Sequence, residues 1–236
     1  MASASSRCPG RDLLIITPTR GRLHNAERLA TAVADTCTAQ TDLILAIDDD
    51  DDSYADMRVG AEAIRGPRKT CPAWSNEIAK DHGHKYRAVA SLGDDHLPVT
   101  KGWDTLMLAA LDDMGGTGIV YGDDIGQGVN LPTAPVISSD IPAALGWLFL
   151  PGCRHLFCDN VWLDLGREAG CLRYLPEVVI EHLHYSRGAS PHDQTYEDSR
   201  GAWQHDEAAW HAWQRSGMAA DVDKIRALRS LRAVRM

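Results

Sequence analysis

The fold of this chain is decided by residues 13–48, which read LLIITPTRGRLHNAERLATAVADTCTAQTDLILAID. Apolar runs at residues 13–17 and 43–47 flank residues 25–36, whose apolar side chains recur on one side of a helix. Continuous apolar runs are typical of strands buried on both faces of a sheet. A strand, a helix and a strand with short connections form a parallel βαβ unit. Residues 13–48 therefore predict an α/β fold.

The rest of the chain alternates strand and helix patterns as well. We predict further strands over residues 86–92, 118–121 and 177–182, and further helices over residues 73–81, 103–114, 159–169 and 202–215. Residues 122–152 are rich in glycine and proline and predict a long functional loop. We expect a disordered lead-in at residues 1–10, one domain at residues 11–200 with a mixed, mainly parallel sheet flanked by helices, and a C-terminal helical extension at residues 201–236.

Composition and charge exclude several classes of protein. The 236 residues are 44% hydrophobic and carry a formal net charge of -9, which fits a full core and argues against binding nucleic acid through a broad basic face. No apolar run reaches about 18 residues, so no membrane span is predicted, and no segment of signal-peptide type opens the chain. The six cysteines form no C-x-x-C pair, which is typical of reduced thiols in a cytoplasmic protein.

Polar and charged side chains follow three of the predicted strands. The first strand ends in Pro18-Thr19-Arg20, the second at Asp48-Asp49, and the third in Gly93-Asp94-Asp95-His96. In open α/β sheets, ligands bind in the crevice beyond the carboxyl ends of the strands. Carboxylates are ligands for Mg²⁺ or Mn²⁺, and an added imidazole favours Mn²⁺. Residues 93–96 are therefore a candidate metal site, although Gly-Asp is also ordinary turn chemistry.

Two other charged segments have alternative interpretations. Residues 49–52 continue the aspartate run and are predicted to be a solvated loop, because the glycine and distal glutamate of an EF-hand calcium loop are missing. Arg65, Arg68 and Lys69 precede the helix that carries Asn76. They form either a basic surface loop or a contact for an anionic ligand.

Taken together, these motifs resemble the nucleotide-sugar glycosyltransferases of the GT-A fold, and the large family 2 group in particular. The resemblance covers residues 13–184. It rests on the order and spacing of Pro18-Thr19-Arg20, Asp48, residues 65–76, Asp94-Asp95-His96, and Asp159-Asn160 followed by His182. It implies a GT-A (Rossmann-like) fold and an inverting, metal-dependent enzyme. That enzyme would transfer a sugar from a nucleoside diphosphate donor, with UDP favoured, to an acceptor hydroxyl.

The resemblance also implies residues that bind the donor. Asp48 would accept a hydrogen bond from the imide N–H of uracil, since a carboxylate is an acceptor. The base pocket would be lined by Thr17, Pro18, Thr19 and Arg20. Arg68 and Asn76 would contact the ribose or the diphosphate, where cations are useful.

The same resemblance implies the metal ligands and the general base. The cation, Mn²⁺ or Mg²⁺, would be bound by Asp94 or Asp95 together with His96 and His182, with His184 as the alternative to His182. The remaining carboxylate of residues 94–95 would bind the ribose. Asp159 is either the N-cap of its helix or the general base that deprotonates the acceptor hydroxyl.

Two rival functions remain open from the sequence. A nucleotidyltransferase also uses a nucleotide-binding α/β sheet and a carboxylate-bound metal, but residues 18–22 are a poor version of its glycine-rich loop. A catalytically inactive glycan- or nucleotide-binding module is the second rival, and the joint presence of the candidate metal ligands and Asp159 argues against it. The acceptor candidates are a glycan, a protein side chain or a hydroxylated DNA base, and we expect a bacterial or bacteriophage protein.

The C-terminal residues carry two further patterns. Trp203, Trp210 and Trp213 recur at helical spacing, which predicts either packing against the domain or a platform for stacking sugars. Residues 224–235 interleave basic and apolar side chains. They predict a solvated, partly apolar helix, with a docking or homo-oligomer helix and a contact for a polyanion or membrane surface as alternatives.

Overall fold

A computed structural model describes residues 10–58, 60–185, 188 and 193–234. The predicted disordered lead-in lies outside the described residues except for Gly10. The strands are β1 Arg11–Thr19, β2 Thr41–Asp48, β3 Glu62–Gly66, β4 Tyr86–Ser91, β5 His96–Pro98, β6 Ile119–Asp123, β7 Val136–Ser138 and β8 Leu172–His182. The helices are α1 Leu23–Thr36, α2 Cys71–His82, α3 Trp103–Asp113, α4 Asp140–Leu145, α5 Cys158–Glu168, α6 Gln194–Ser216 and α7 Met218–Ala233.

The strands form one mixed sheet in the order β3-β2-β1-β4-β7-β6-β8-β5. Strand β1 pairs in parallel with β2 and β4, β2 with β3, and β6 with β8. The short strand β7 is antiparallel to both β4 and β6, and β5 is antiparallel to β8. The predicted α/β class, with a mixed, mainly parallel sheet, is therefore confirmed.

The core lies on both faces of the sheet, which explains why β1 is apolar at consecutive positions. Leu14 and Ile16 belong to a cluster that includes side chains of α2, α4, α5, α6 and α7. Leu13 and Ile15 point to the opposite face, into a cluster with side chains of α1 and α3. All four side chains are fully buried. A strand covered by helices on both sides has no polar face, so the alternation typical of exposed sheets is absent.

The prediction of a long loop over residues 122–152 is partly wrong, because β7 and α4 lie within it. Strand β7 has three residues, all buried, and it joins β4 to β6 in the middle of the sheet. Strands β3 and β5 were also not predicted. Elements this short are fixed by pairing with distant strands rather than by their own hydrophobic period.

The C-terminal helices α6 and α7 contact α5 and the residues that follow it. Trp210 donates from Nε1 to Asp164 of α5 at 2.9 Å, and Trp213 donates to Asp221 of α7 at 3.0 Å. These two tryptophans therefore pack between helices, whereas Trp203 remains 51% exposed. The expected domain boundary at residue 200 falls inside α6, and the division into two domains stays a prediction.

Two arginines of α7 form hydrogen bonds within the molecule. Arg226 donates to the carbonyl of Glu168 at 2.6 Å, and Arg229 donates to the carbonyls of Ala169 and Gly170 at 3.0 and 2.6 Å. They satisfy carbonyl groups that the end of α5 leaves free. This use weakens the interpretation of α7 as a contact for a polyanion. Within the part of the chain that is described, no helix is both long and apolar enough to span a membrane.

Candidate active site at the carboxyl edge of the sheet

The loops that follow β1, β2 and β4 converge, as predicted, and line two adjoining cavities. The first, of about 400 Å³, is lined by Arg20, Arg68, Lys69 and Arg154, and we call it the basic cavity. The second, of about 260 Å³, is lined by Asp94, Asp95, His96, Asp159 and His182, and we call it the acidic cavity. The two cavities adjoin, since five residues line both: Pro18, Cys71, His155, Thr195 and Ser199.

Asp95, His96 and His182 form a candidate metal centre. Each of them offers a ligand atom, and these atoms lie within 4.8 Å of one another. The antiparallel pairing of β5 with β8 places His96 directly opposite His182. Their rings stack with centroids 4.4 Å apart, and Nε2 of His182 lies 3.5 Å from Oδ2 of Asp95. Residues distant in the sequence are thus brought together by strand pairing.

The chemistry of these three side chains fits a divalent cation. Burial lowers the pKa of His96 to about 4, so its ring is neutral. Burial opposes the ionisation of Asp95, but other interactions, among them the hydrogen bonds with His182 and Tyr196, outweigh it, so the pKa of Asp95 lies well below its usual range. Ionised carboxylates and neutral imidazoles are the forms that bind metal.

The two nitrogens of the His96 ring have different environments. Its Nε2 is buried and has no hydrogen-bond partner among the described residues. Unpaired buried polar atoms are rare and indicate a ligand or a functional role. The backbone N–H of Gly93 donates to Nδ1 of His96 at 2.9 Å, which puts the proton of the neutral ring on Nε2. A cation can bind Nε2 only if the ring proton moves to Nδ1, and that move would break the hydrogen bond from the N–H of Gly93.

Gly93 is needed for the close approach of these ligands. A Cβ atom at this position would lie 2.6 Å from Oδ1 of Asp95 and 3.0 Å from Nδ1 of His96. The first distance is shorter than real contacts of a Cβ atom, so a side chain here would displace the carboxylate. The glycine of the 93–96 motif therefore has a steric role, in addition to forming a turn.

Asp94 has a different environment from Asp95. Its carboxylate accepts hydrogen bonds from Oγ1 of Thr19 at 2.6 Å and from Nη1 of Arg22 at 3.1 Å. Burial raises the pKa of Asp94 to about 6, against the opposing charge of Arg22. Asp94 is not part of the Asp95, His96 and His182 group. Between the two carboxylates that the sequence left open as metal ligands, the geometry favours Asp95.

Arg22, Asp193 and Tyr196 connect α6 to this centre, and the sequence analysis missed all three. Arg22 donates from Nε and Nη2 to the two carboxylate oxygens of Asp193, at 2.6 Å each, and its guanidinium lies 4.4 Å from the centroid of the Tyr196 ring. The Tyr196 hydroxyl donates to Oδ2 of Asp95 at 2.9 Å. The sequence could have indicated Asp193, because aspartate is favoured at helix N-caps, and Asp193 caps α6 by accepting from the N–H of Tyr196.

Asp48 lies in the wall of the basic cavity, where several groups already bind it. Its Oδ1 accepts from Nε1 of Trp74 at 2.8 Å and from the N–H of Lys69 at 3.1 Å. Its Oδ2 accepts from Nη1 of Arg20 at 3.0 Å. Arg68 also lines this cavity, 3.8 Å from a carboxylate oxygen of Asp198. The basic cavity thus joins four cationic side chains from three loops and a buried carboxylate.

The structure places two of the expected donor-binding residues away from the cavities. Thr17 is fully buried in β1, whereas Pro18, Thr19 and Arg20 line the basic cavity. The amide of Asn76 is engaged with backbone: its oxygen accepts from the N–H groups of Leu148 and Phe149 at 2.7 Å each, and its nitrogen donates to the carbonyl of Phe149 at 2.8 Å. These contacts argue against a donor contact for Asn76 and give it a structural role.

The aspartate run at residues 49–52 is held in part by hydrogen bonds. Asp51 is buried and accepts from the N–H of Gly21 at 2.7 Å, so it fixes the loop after β1. Asp50 is paired with Arg20. The prediction of a solvated loop over residues 49–52 is therefore wrong for Asp51, which is buried, whereas Asp49, Asp50 and Asp52 are exposed.

Asp159 lines the acidic cavity and is the second residue of α5. The N-cap is Phe157, with φ of 62°, so Asp159 does not cap the helix. Its Oδ1 accepts from the N–H of Asn160 at 2.9 Å. Burial raises the pKa of Asp159 despite this hydrogen bond. A carboxylate with a raised pKa is a stronger base than one exposed to water.

Asp206 holds the segment that leads to Asp159, and it was also missed. Its buried carboxylate accepts from the N–H groups of Arg154, His155 and Leu156 at 2.9, 2.8 and 2.8 Å. His184, the alternative metal ligand, lines the acidic cavity with its ring centroid 5.2 Å from that of His182. It lies outside the group formed by Asp95, His96 and His182.

Comparison with known proteins identifies the architecture. No family model matches the chain, and no curated protein matches it by sequence. Among solved structures, glucosyl-3-phosphoglycerate synthase from Mycobacterium tuberculosis, in complex with Mn²⁺, UDP and phosphoglyceric acid, matches with a TM-score of 0.62 and 12% identity over 88% of this chain and 79% of that chain. This chain has the GT-A fold.

Two further structures agree with this assignment. The mannosyltransferase PcManGT from Pyrobaculum calidifontis, in complex with GDP-Man and Mn²⁺, matches with a TM-score of 0.57 and 11% identity over 97% of this chain and 87% of that chain. TarS from S. aureus matches with a TM-score of 0.56 and 11% identity over 72% of this chain, which spans 36% of the TarS chain. At these identities the likeness establishes the fold.

Proposed function

We propose that this protein is a metal-dependent glycosyltransferase that transfers a sugar from a nucleoside diphosphate donor to an acceptor hydroxyl. The observation that carries the proposal is the position of the Asp95, His96 and His182 group, in a cavity that Asp159 also lines and that adjoins the basic cavity. Cationic side chains for a donor, ligands for a cation and a candidate base are therefore arranged along one cleft of a GT-A fold.

The basic cavity suits the nucleotide part of the donor. Arg20, Arg68 and Lys69 supply positive charge for a diphosphate, and Asp48 supplies an acceptor for the imide N–H of a uracil base. We therefore propose a UDP-sugar as the donor. Asp48 already accepts from the side chain of Arg20 and from the backbone N–H of Lys69, and the Lys69 ammonium is held by Glu77.

Asp95, His96 and His182 would hold Mn²⁺ or Mg²⁺ in the acidic cavity. When bound, the cation stabilises the negative charge that develops on the leaving diphosphate. Asp94, which Thr19 and Arg22 hold in the same cavity, is placed to accept from a ribose hydroxyl. The hydroxyl of Tyr196 would orient Asp95.

Asp159 would act as the general base. A carboxylate at this position takes the proton from the acceptor hydroxyl as the hydroxyl oxygen attacks the anomeric carbon. A single displacement of this kind inverts the anomeric configuration. The raised pKa of Asp159 supports this role, since it increases the affinity of the carboxylate for the transferred proton.

Donor hydrolysis and metal binding test the proposal together. We expect release of UDP from a panel of UDP-, GDP- and TDP-sugars to depend on Mn²⁺ and to be lost in His96→Ala. The matched control is His24→Ala, an exposed histidine on α1, which should retain wild-type activity. Titration with Mn²⁺ followed by calorimetry gives a readout independent of turnover. UDP release without a divalent cation, or wild-type Mn²⁺ affinity in His96→Ala, would contradict the assignment.

A cytoplasmic location, a bacterial or bacteriophage source and a homo-oligomer formed through α7 stay predictions from the sequence. The exposed apolar side chains Leu231 and Val234 on or just beyond α7 are the residues on which an oligomer contact would depend.

A further inference from the structure

Positive charge is divided unevenly between the two cavities. The basic cavity contains Arg20, Arg68, Lys69 and Arg154. The acidic cavity is lined by the carboxylates of residues 94, 95 and 159, and the arginine that lines it, Arg22, is already paired with Asp94 and Asp193. The charge of a bound cation would be offset by the donor diphosphate. An anionic acceptor entering the acidic cavity would therefore meet like charge, whereas an uncharged hydroxyl compound would not.

An aromatic ledge borders the same cavity. It consists of Phe157, Trp203 and Trp210. Phe157 lines the acidic cavity, its ring meets that of Trp203 edge to face at 5.1 Å, and it stacks on that of Trp210 at 5.2 Å. Trp203 is 51% exposed, although Trp213 on the same helix is buried. An exposed tryptophan continuous with a cavity wall presents a flat, amphipathic surface to a ligand.

The backbone of Phe157 is held in an unusual conformation. Its φ of 62° is in the left-handed region, which is unfavourable for a residue with a side chain. Asp206 fixes the three preceding N–H groups of residues 154–156, so this conformation is enforced by α6. Phe157 thus lies two residues before Asp159 in the chain, lines the same cavity, and contacts Trp203.

From these observations we propose that the acceptor is an uncharged sugar whose ring stacks on Trp203 and Phe157 while one of its hydroxyls reaches Asp159. The proposal rests on the glycosyltransferase function proposed above and narrows the acceptor to a neutral glycan. A hydroxylated DNA base is disfavoured, because the chain carries a net charge of -9 and the α7 residues Arg226 and Arg229 are bound to carbonyls of residues 168–170.

Saturation-transfer NMR with UDP and Mn²⁺ present tests the acceptor class. The probes are methyl glycosides of glucose, galactose, mannose and N-acetylglucosamine, their 6-phosphates, a peptide rich in serine and threonine, and single-stranded DNA containing hydroxymethylated bases. We expect at least one neutral glycoside to bind and its 6-phosphate to bind about tenfold more weakly, a difference of about 1.4 kcal/mol. Preferential binding of a phosphorylated sugar, the peptide or the DNA, or of no neutral glycoside, would overturn the proposal.

Variants at Trp203 test the ledge. Trp203→Ala should weaken binding of the neutral glycoside by roughly threefold to tenfold, and Trp203→Phe should restore most of it, as expected for stacking. Leu231→Ala, which removes an exposed apolar side chain of α7, is the matched control. Equal affinity of wild type and Trp203→Ala would refute the ledge as an acceptor site. Donor hydrolysis without acceptor, measured on the same samples, reports the proposed function separately.

Discussion

The basic and acidic cavities adjoin, but they are assembled in different ways. The residues of the basic cavity that follow β1 and β3 come from the first 71 positions, and the parallel strands β1, β2 and β3 bring them to one edge. The acidic cavity combines the end of β4, the β5–β8 pair, the start of α5 and the start of α6. The first depends in part on local motifs at neighbouring strand ends, although Arg154, His155 and residues of α6 also line it. The second depends on long-range pairing, so changes there are expected to have the larger effects.

The largest effect is expected from Asp95→Ala. This variant removes the carboxylate that lies next to both histidines and leaves the hydroxyl of Tyr196 without the acceptor it now uses. Turnover should fall by at least about 1000-fold, or about 4 kcal/mol in the barrier. Mn²⁺ affinity, measured by calorimetry, should fall with it. Asp94→Ala, outside the group of three, should reduce Mn²⁺ affinity less, and an equal loss in both variants would contradict the choice of Asp95.

The next largest loss of turnover is expected from Asp159→Asn, which keeps the shape of the side chain but removes its basicity. Turnover should fall by roughly 100-fold or more, the range found for general bases. Binding of Mn²⁺ and UDP should persist, because the metal group and the basic cavity are unchanged. Asp223→Asn, an exposed position on α7, is the control. Wild-type turnover in Asp159→Asn would favour a protein that binds nucleotide without using this carboxylate.

The same contrast explains how much the sequence could predict. Pro18-Thr19-Arg20 and Asp48 were found because long apolar strands precede them and both strands are parallel. His96 and His182 were predicted as partners from a family resemblance. The β5–β8 register that pairs them could not be predicted, because β5 has only three residues and shows no pattern of its own. Arg22, Tyr196 and Asp206 were missed because their importance comes from contacts with residues far away in the sequence. Asn76 looked available for a ligand, but its partners are backbone groups.

A smaller effect is expected from Gly93→Ala, which tests whether the acidic cavity tolerates a change in backbone packing. The added Cβ would collide with Oδ1 of Asp95 and approach Nδ1 of His96, so both ligands must shift. Mn²⁺ affinity should fall about tenfold, within the range found when the groups that orient metal ligands are changed. Gly60→Ala, where a Cβ has open space, is the control. Unchanged Mn²⁺ affinity in Gly93→Ala would show that the carboxylate is not held as tightly as the geometry indicates.

The smallest effect is expected from Tyr196→Phe, which tests the contribution of α6 to the acidic cavity. The hydroxyl donates to Oδ2 of Asp95, the oxygen that also faces His182, and so it orients the carboxylate without contacting a cation itself in the proposed arrangement. Removing it should cost about 1 kcal/mol of metal binding, or about fivefold in affinity. Tyr121→Phe removes a comparable hydrogen bond, to the carbonyl of Val129, and should leave Mn²⁺ affinity unchanged. If both variants bind Mn²⁺ like the wild type, the hydrogen bond from Tyr196 does not affect Mn²⁺ affinity. In that case α6 borders the site but is not coupled to the metal group.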